Sequence, residues 1–251
     1  MDTKRPTLID QFVDLGLMQL SNWRWSWRGM VVTGMVTPLL SALAMGALAK
    51  GSGPAAIAHV LTGSIVLALM FENQNKVAQN FSFMKQVGTL DFLATLPVHR
   101  FMVIVATVLA FFVLSLPALV VTVVAGSALL GVTLSVSPLV VLVIPLCVLS
   151  LAGIGAFIGI TARTPEEAGS LTLMATILML FAGPVVLPPD RLPEWLLRLS
   201  DFSPSSYAAD AVRQVLIGPV TGRLWLDAGV LAALAALALW FTGFKMQWKS
   251  A

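Results

Sequence analysis

The chain has 251 residues, of which 58% are apolar and only 11% are charged, and its mean hydropathy is +0.91. A water-soluble domain carries about 25% charged residues, so this composition excludes an ordinary soluble enzyme. The formal net charge of +3 is small, and we expect no nucleic-acid partner.

The charged residues are distributed unevenly along the chain. Between Arg100 and Arg163 lie 62 consecutive residues without Asp, Glu, Lys or Arg. This run exceeds two bilayer crossings of about 20 residues each. A bilayer core admits only helices and closed barrels, and the apolar runs are continuous rather than alternating. The sequence therefore predicts an all-α polytopic membrane protein.

Length and flanking charge place six predicted transmembrane helices, at residues 29–49, 55–72, 101–125, 137–162, 168–187 and 224–244. We expect them to form one domain, residues 29–251. With both termini inside, the inner segments hold ten Lys and Arg residues and the outer segments five. This excess favours cytoplasmic termini. The first apolar run is too long for a signal-peptide core of about 7–15 residues, so we expect the amino terminus to be retained.

Residues 1–28 predict a cytoplasmic segment that lies in the membrane interface. Between residues 8 and 20, one helical face holds Leu8, Phe12, Leu15 and Leu20, and the other holds Asp10, Gln11 and Asp14. Amphipathic helices of this kind lie flat in the interface. The Trp/Arg belt at residues 23–28 is either part of this anchor or the aromatic belt that precedes any first span.

The longest predicted cytoplasmic loop is residues 73–100. Thr89 is placed to be the N-cap of a short helix, Asp91 lies in its first turn, and Pro97 ends it. This helix is too apolar for a loop that faces only water. We expect it to pack against the membrane or a partner.

The predicted outer segment, residues 188–223, has the signals of two short amphipathic helices. Pro193 can begin the first, Ser203-Pro204 can begin the second, and Gly218-Pro219 can end it. Asp210 and Arg213 are three residues apart, close enough to pair. The pattern predicts a re-entrant helical hairpin that dips into the outer leaflet or caps the bundle.

Catalytic and energy-coupling motifs are missing from the sequence. His59 and His99 fall on opposite sides of the predicted membrane, and there is neither an H-E-x-x-H motif nor a phosphate loop. Glu166-Glu167 is followed by Leu171 where a Glu-Glu-x-x-x-Arg protease has Arg. No charged residue lies in mid-span, as a proton- or sodium-coupled carrier would need. We therefore expect no catalytic residue, metal site or cofactor, and an external energy source.

Two stretches carry a resemblance to a known family. Residues 88–100, GTLDFLATLPVHR, look like the coupling-helix motif G-T-L-[DE]-x-L-x-x-x-P-[VI]-x-R in the permease subunit of type-2 ATP-binding-cassette exporters, which include bacterial drug-efflux permeases. Residues 192–213 are similar to the outer hairpin of that family. The segment between residues 72 and 85 departs from the family pattern, because it is less basic than in many relatives.

The resemblance implies a permease that exports hydrophobic or amphipathic molecules, drug-like compounds or lipids, across a prokaryotic plasma membrane. A second permease copy and separate cytoplasmic ATPase subunits, which bind ATP and Mg²⁺, would complete the transporter. It assigns coupling to Gly88, Thr89, Leu90, Asp91, Phe92, Leu93, Leu96, Pro97 and Arg100. It makes Thr62, Leu69, Leu173 and Met179 candidates for the substrate pathway. The amphipathic hairpin adds candidate outer-gate residues, Trp195, Tyr207, Asp210 and Arg213.

Other functions stay open at this point. A polysaccharide or lipid-linked glycan exporter would share the same parts. A small secondary transporter or channel would work without an ATPase and needs a buried ionisable group. A membrane enzyme or an assembly scaffold is the third alternative, and an enzyme would need a polar catalytic pair inside the spans.

Overall fold

The computed structural model of the protein describes residues 8–22, 27–49, 51, 53–185 and 192–246. These residues form helices and turns without a strand, which confirms the all-α prediction. The helices are α1 Leu8–Asn22, α2 Trp27–Leu48, α3 Pro54–Leu69, α4 Lys76–Gln86, α5 Thr89–Ala94, α6 Arg100–Leu130, α7 Val140–Thr161, α8 Pro165–Phe181, α9 Glu194–Ser200, α10 Pro204–Leu216 and α11 Arg223–Lys245. The Trp/Arg belt lies largely outside the described residues.

Among the described residues, four helices are long and apolar enough to cross a membrane, namely Pro54–Gln86, Arg100–Leu130, Val140–Thr161 and Arg223–Lys245. They support a polytopic membrane protein. The predicted spans at 29–49 and 168–187 fall on α2, whose apolar part is Val31–Ala47, and on α8, which has 17 residues. Six crossings therefore stay a prediction.

The predicted cytoplasmic loop at residues 73–100 is shorter than expected. A π-helical turn, Met70–Asn75, joins α3 to α4, so that one helix runs over Pro54–Gln86. Hydropathy ended the span early because residues 72–76 are polar, yet Glu72, Asn73 and Gln74 are buried inside the bundle. The loop itself contains only residues 87–99, with α5 in its middle.

Helix α7 lies at the centre of the bundle and contacts α4, α6, α8, α10 and α11. A Cβ atom at Gly155 would lie 2.1 Å from the carbonyl oxygen of Gln74, and one at Gly159 would lie 2.3 Å from that of Ala78. Glycines one turn apart allow membrane helices to approach this closely. Because residue numbers rise together along both helices, α4 and α7 are parallel. The α6 helix, which lies between them in sequence, therefore runs in the opposite direction.

Helix α1 packs on α6 through a face that the sequence did not indicate. Leu15 is buried as predicted, but Gln11, which we placed on the polar face, is buried as well. The side-chain oxygen of Gln11 accepts a hydrogen bond from the backbone N–H of His99 at 3.3 Å. The amide of Gln19 donates to the hydroxyl of Thr107 at 3.1 Å. These two bonds satisfy glutamine side chains that are buried against α6.

Candidate functional site

The candidate coupling helix, α5, lies in the turn that reverses the chain between α4 and α6. Its N-cap is Gly88, whereas we had predicted Thr89. Gly88 has φ +77°, a left-handed conformation that glycine adopts at no steric cost. Asp91 lies in the first turn as predicted, where a carboxylate suits the helix dipole.

The α5 helix has one buried face and one exposed face. Leu93 is 2% exposed and belongs to the core, whereas Phe92 is 60% exposed and Leu96, just after the helix, is 40% exposed. Leu93 therefore holds α5 to the bundle, and Phe92 and Leu96 are available to a partner. The other predicted coupling residues are exposed at Asp91, Pro97 and Arg100 and half-buried at Gly88, Thr89 and Leu90.

Next to α5, the end of α4 is bonded to the end of α7. The Lys85 ammonium donates to the carbonyl oxygens of Ile160 and Ala162 at 3.0 and 2.9 Å. These carbonyl groups end α7, where the helix dipole favours a cation. These bonds therefore join the end of α4, next to α5, to the end of α7.

The four candidate pathway residues do not share one surface. Thr62 is fully buried, and its hydroxyl donates to the carbonyl oxygen of Ala58 at 3.0 Å. Leu69 is buried in the same core cluster as other α3 side chains. Leu173 is exposed on α8, and Met179 is half-buried near the opposite end of that helix. Of the four candidates, Thr62 and Leu69 are therefore closed to a large ligand, whereas Leu173 is exposed and Met179 lines a surface cavity.

Helix α8 carries an exposed apolar face over most of its length. The exposed residues are Leu171, Leu173, Met174, Ile177, Leu178 and Phe181. The opposite side of α8 packs on α4 and on the π-helical turn before it, where the hydroxyl of Thr172 donates to the side-chain oxygen of Asn75 at 2.9 Å. The exposed face is thus a continuous apolar surface for lipid or a second copy.

Helices α9 and α10 occupy the predicted hairpin, with the turn at residues 201–203. Trp195 is 67% exposed on α9. The hydroxyl of Tyr207 on α10 donates to the backbone oxygen of Asp201 at 2.7 Å. Burial and the nearby Asp201 carboxylate raise the pKa of Tyr207, so this hydroxyl keeps its proton. The bond closes the hairpin.

The predicted ion pair between Asp210 and Arg213 is present, and it belongs to a larger network. Arg223 lies 3.5 Å from Asp210 and 3.9 Å from Asp227, which is fully buried. The amide of Gln214 donates to Asp227 at 3.1 Å. Burial lowers the pKa of Arg213, and Asp210 opposes this effect. The network fastens α10 to the start of α11.

Asp227 and Gln214 were not among the predicted site residues. In the sequence, Asp227 lies near the start of the predicted span at 224–244, a position where charged residues are common. The available signal was its spacing of four residues from Arg223 on an apolar helix, which places both side chains on one face. The partner on α10 is 13 residues away in sequence and is visible only in the folded chain.

We expect Asp227→Ala to lower the free energy of unfolding by about 1–3 kcal/mol, because it removes the acceptor of a buried hydrogen bond. The Gln214 amide would then lack its partner on α11. Thermal unfolding in detergent measures the change, with Asp227→Asn as the control that keeps a side-chain oxygen. Equal unfolding temperatures for Asp227→Ala and the parent would contradict this role.

Comparison with known proteins agrees with these features. Residues 15–217, about four-fifths of the chain, match the ABC-2 type transporter family. The daunorubicin resistance ABC transporter permease protein DrrB1 of Streptomyces coeruleorubidus is 29% identical over 98 residues, which are 39% of this chain and 34% of that relative. The similarity therefore spans about a third of the relative's length. From the family match over most of its length, we conclude that this chain is a member of the ABC-2 type transporter family.

Proposed function

We propose that this chain is the membrane permease of an ABC exporter, which moves hydrophobic or amphipathic molecules with energy from a separate ATPase subunit. The observation that carries the proposal is α5, a short helix with exposed Phe92 and Leu96 and with Leu93 held in the core. The role in daunorubicin resistance that the relative's name states supports a drug-like cargo.

In the proposed mechanism, the ATPase binds ATP and Mg²⁺ and contacts the exposed side of α5. Closure of the ATPase displaces α5, and the displacement passes through α4 to α7 because Lys85, Gly155 and Gly159 hold these helices together. Since α7 contacts α10 and α11, the same movement reaches the hairpin network. The ATPase thus shifts the population between inward- and outward-open states by differential contacts.

We further propose that two copies of the chain face each other across the substrate path. The exposed apolar face of α8, which includes Leu173, supports this arrangement. An apolar path without a charged site suits cargo that partitions into lipid. The transporter would lie in a prokaryotic plasma membrane with both termini in the cytoplasm.

One observation favours the secondary-transporter alternative, which needs a buried ionisable group. Glu72 and Asp227 are both buried carboxylates. Both are already engaged, Glu72 by an ion pair with Lys76 and Asp227 by Gln214 and Arg223. Carboxylates with such partners are suited to holding helices together, and we retain the exporter as the proposed function.

Energy dependence tests the proposal directly. We expect the purified permease to hydrolyse no ATP, and we expect vesicles to accumulate substrate only when the ATPase subunit and ATP are both present. A phosphate-loop lysine substitution in the ATPase is the control that removes hydrolysis but keeps the complex. Substrate flux in vesicles that contain the permease alone would favour a secondary transporter.

Orientation is tested by thiol labelling of intact cells. Asp201 and Arg163 are both exposed and lie at opposite ends of the bundle, and the native Cys147 is buried and unreactive. We expect a membrane-impermeant maleimide to modify Asp201→Cys and to spare Arg163→Cys, because the hairpin faces outward. Labelling of both variants after membrane permeabilisation is the control. The reverse pattern would invert the proposed topology and place α5 outside.

A further inference from the structure

A cavity of about 700 Å³ lies at the α5 end of the bundle, between α1, α4 and the starts of α5 and α8. This volume is within the range of about 300–1,000 Å³ that small-molecule sites occupy. Except for Thr89, its lining residues belong to neither the coupling helix nor the outer hairpin. The mechanism above assigns this cavity no role.

The apolar part of the lining consists of Met18, Phe83 and Met84. Phe83 is 54% exposed although it is a large aromatic residue, so its ring is open to a ligand. Thioether groups adapt to irregular shapes and pack well against aromatic rings. This part of the cavity therefore favours a flat, aromatic body.

The polar part of the lining consists of amide side chains together with Lys76 and Thr89, and two of the amide oxygens matter for a ligand. The amide of Gln19 donates to Thr107 and to the sulfur of Met84. The amide of Asn80 donates to the same sulfur at 3.3 Å. Within the described part of the chain, no group donates to the side-chain oxygens of Gln19 and Asn80. These oxygens are free to accept hydrogen bonds from a ligand.

The charge of the cavity also restricts the ligand. Lys76 is its one ionised lining residue among those described, and it is paired with Glu72. An anion would have to compete with Glu72 for this ammonium group, whereas hydroxyl or N–H donors of a ligand would meet the side-chain oxygens of Gln19 and Asn80. The cavity therefore disfavours anionic ligands.

We propose that this cavity binds an aromatic amphipathic molecule with hydroxyl or N–H donors before it is transported. The role as an access site rests on the proposed function, but the binding itself does not. Because the cavity includes the start of α5 at Thr89, its shape changes when α5 is displaced. A ligand bound there is thus released in step with the ATPase.

The test uses the full-length permease in lipid nanodiscs, without ATPase, and rhodamine 6G as an aromatic cationic probe. We expect Phe83→Ala to weaken binding at least tenfold in fluorescence anisotropy after subtraction of empty nanodiscs, and Phe83→Tyr to keep it. Phe244→Ala is the matched control, since Phe244 is 72% exposed on α11 and outside the cavity. We expect carboxyfluorescein, an anionic probe of similar size, to bind at least tenfold more weakly than rhodamine 6G.

Two results would overturn the binding site. One is affinity of Phe83→Ala within twofold of the parent, and the other is equal binding of the anionic probe. A third result concerns the access role. If Phe83→Ala loses binding but still transports rhodamine 6G when the ATPase is present, the access role is overturned and the proposed function stands. If binding follows the expected pattern but ATP drives no flux, the proposed exporter function is overturned and the binding site stands. Size-exclusion profiles confirm that each variant is folded.

Discussion

Gly159→Leu is expected to prevent the helical bundle from forming. A Cβ atom at this position would lie 2.3 Å from the carbonyl oxygen of Ala78, and a backbone group cannot rotate away as a side chain can. The two helices would have to separate, which disrupts the contacts of α7 with most of the bundle. We expect the free energy of unfolding to fall by more than about 3 kcal/mol.

Thermal unfolding and the monodisperse fraction on size exclusion measure this effect. Gly159→Ala should produce a smaller loss of the same sign. Gly229→Ala is the matched control, because nothing lies within 4 Å of a Cβ atom at Gly229 in α11. Alanine there should raise stability slightly, by up to about 1 kcal/mol, through its helix propensity. A Gly159→Leu protein as stable as this control would contradict the close contact.

Phe92→Ala is expected to release the partner ATPase while leaving the permease folded. Phe92 is 60% exposed, so its truncation opens no internal space. If it anchors the ATPase, its loss costs on the order of 2 kcal/mol of association, or about a 30-fold weaker affinity. Copurification of the ATPase and coupled ATP hydrolysis both measure this change.

Leu93→Ala separates partner binding from folding. Leu93 is buried in the core, so its truncation should reduce the free energy of unfolding by about 2–5 kcal/mol. We had predicted that both Phe92 and Leu93 contribute to coupling, and the structure shows that, of these two, Phe92 is accessible and Leu93 is buried. Normal copurification of the ATPase with Phe92→Ala would remove α5 as the docking element.

Local sequence signals placed most of the apolar helices, but they missed the continuation of the second predicted span to Gln86. Runs of about 20 apolar residues predict spans because a bilayer core leaves no water for backbone hydrogen bonds. The coupling turn and the hairpin were also foreseeable. Gly88, Pro97 and Ser203-Pro204 restrict the backbone of their immediate neighbours, so their effect can be judged without the rest of the fold.

Buried polar residues were not foreseeable in this way. Gln11, Glu72 and Asp227 look like surface residues in the sequence, and all three are buried. Burial of a polar group is tolerated only when a partner satisfies it. Those partners include His99, just before α6, for Gln11 and Gln214 on α10 for Asp227, and both are remote in sequence.

The contact between α4 and α7 and the cavity beside α1 have the same origin. Gly155 and Gly159 are ordinary small residues in an apolar run until α4 lies against them. The cavity exists because α1 packs on α6 next to α4 and leaves space near Phe83. The length of an apolar run and the residues of a turn act within a short stretch of chain, so their effects can be predicted from the sequence. Helix-to-helix distances, paired charges and enclosed space depend on residues that are remote in sequence, so only the tertiary structure decides them.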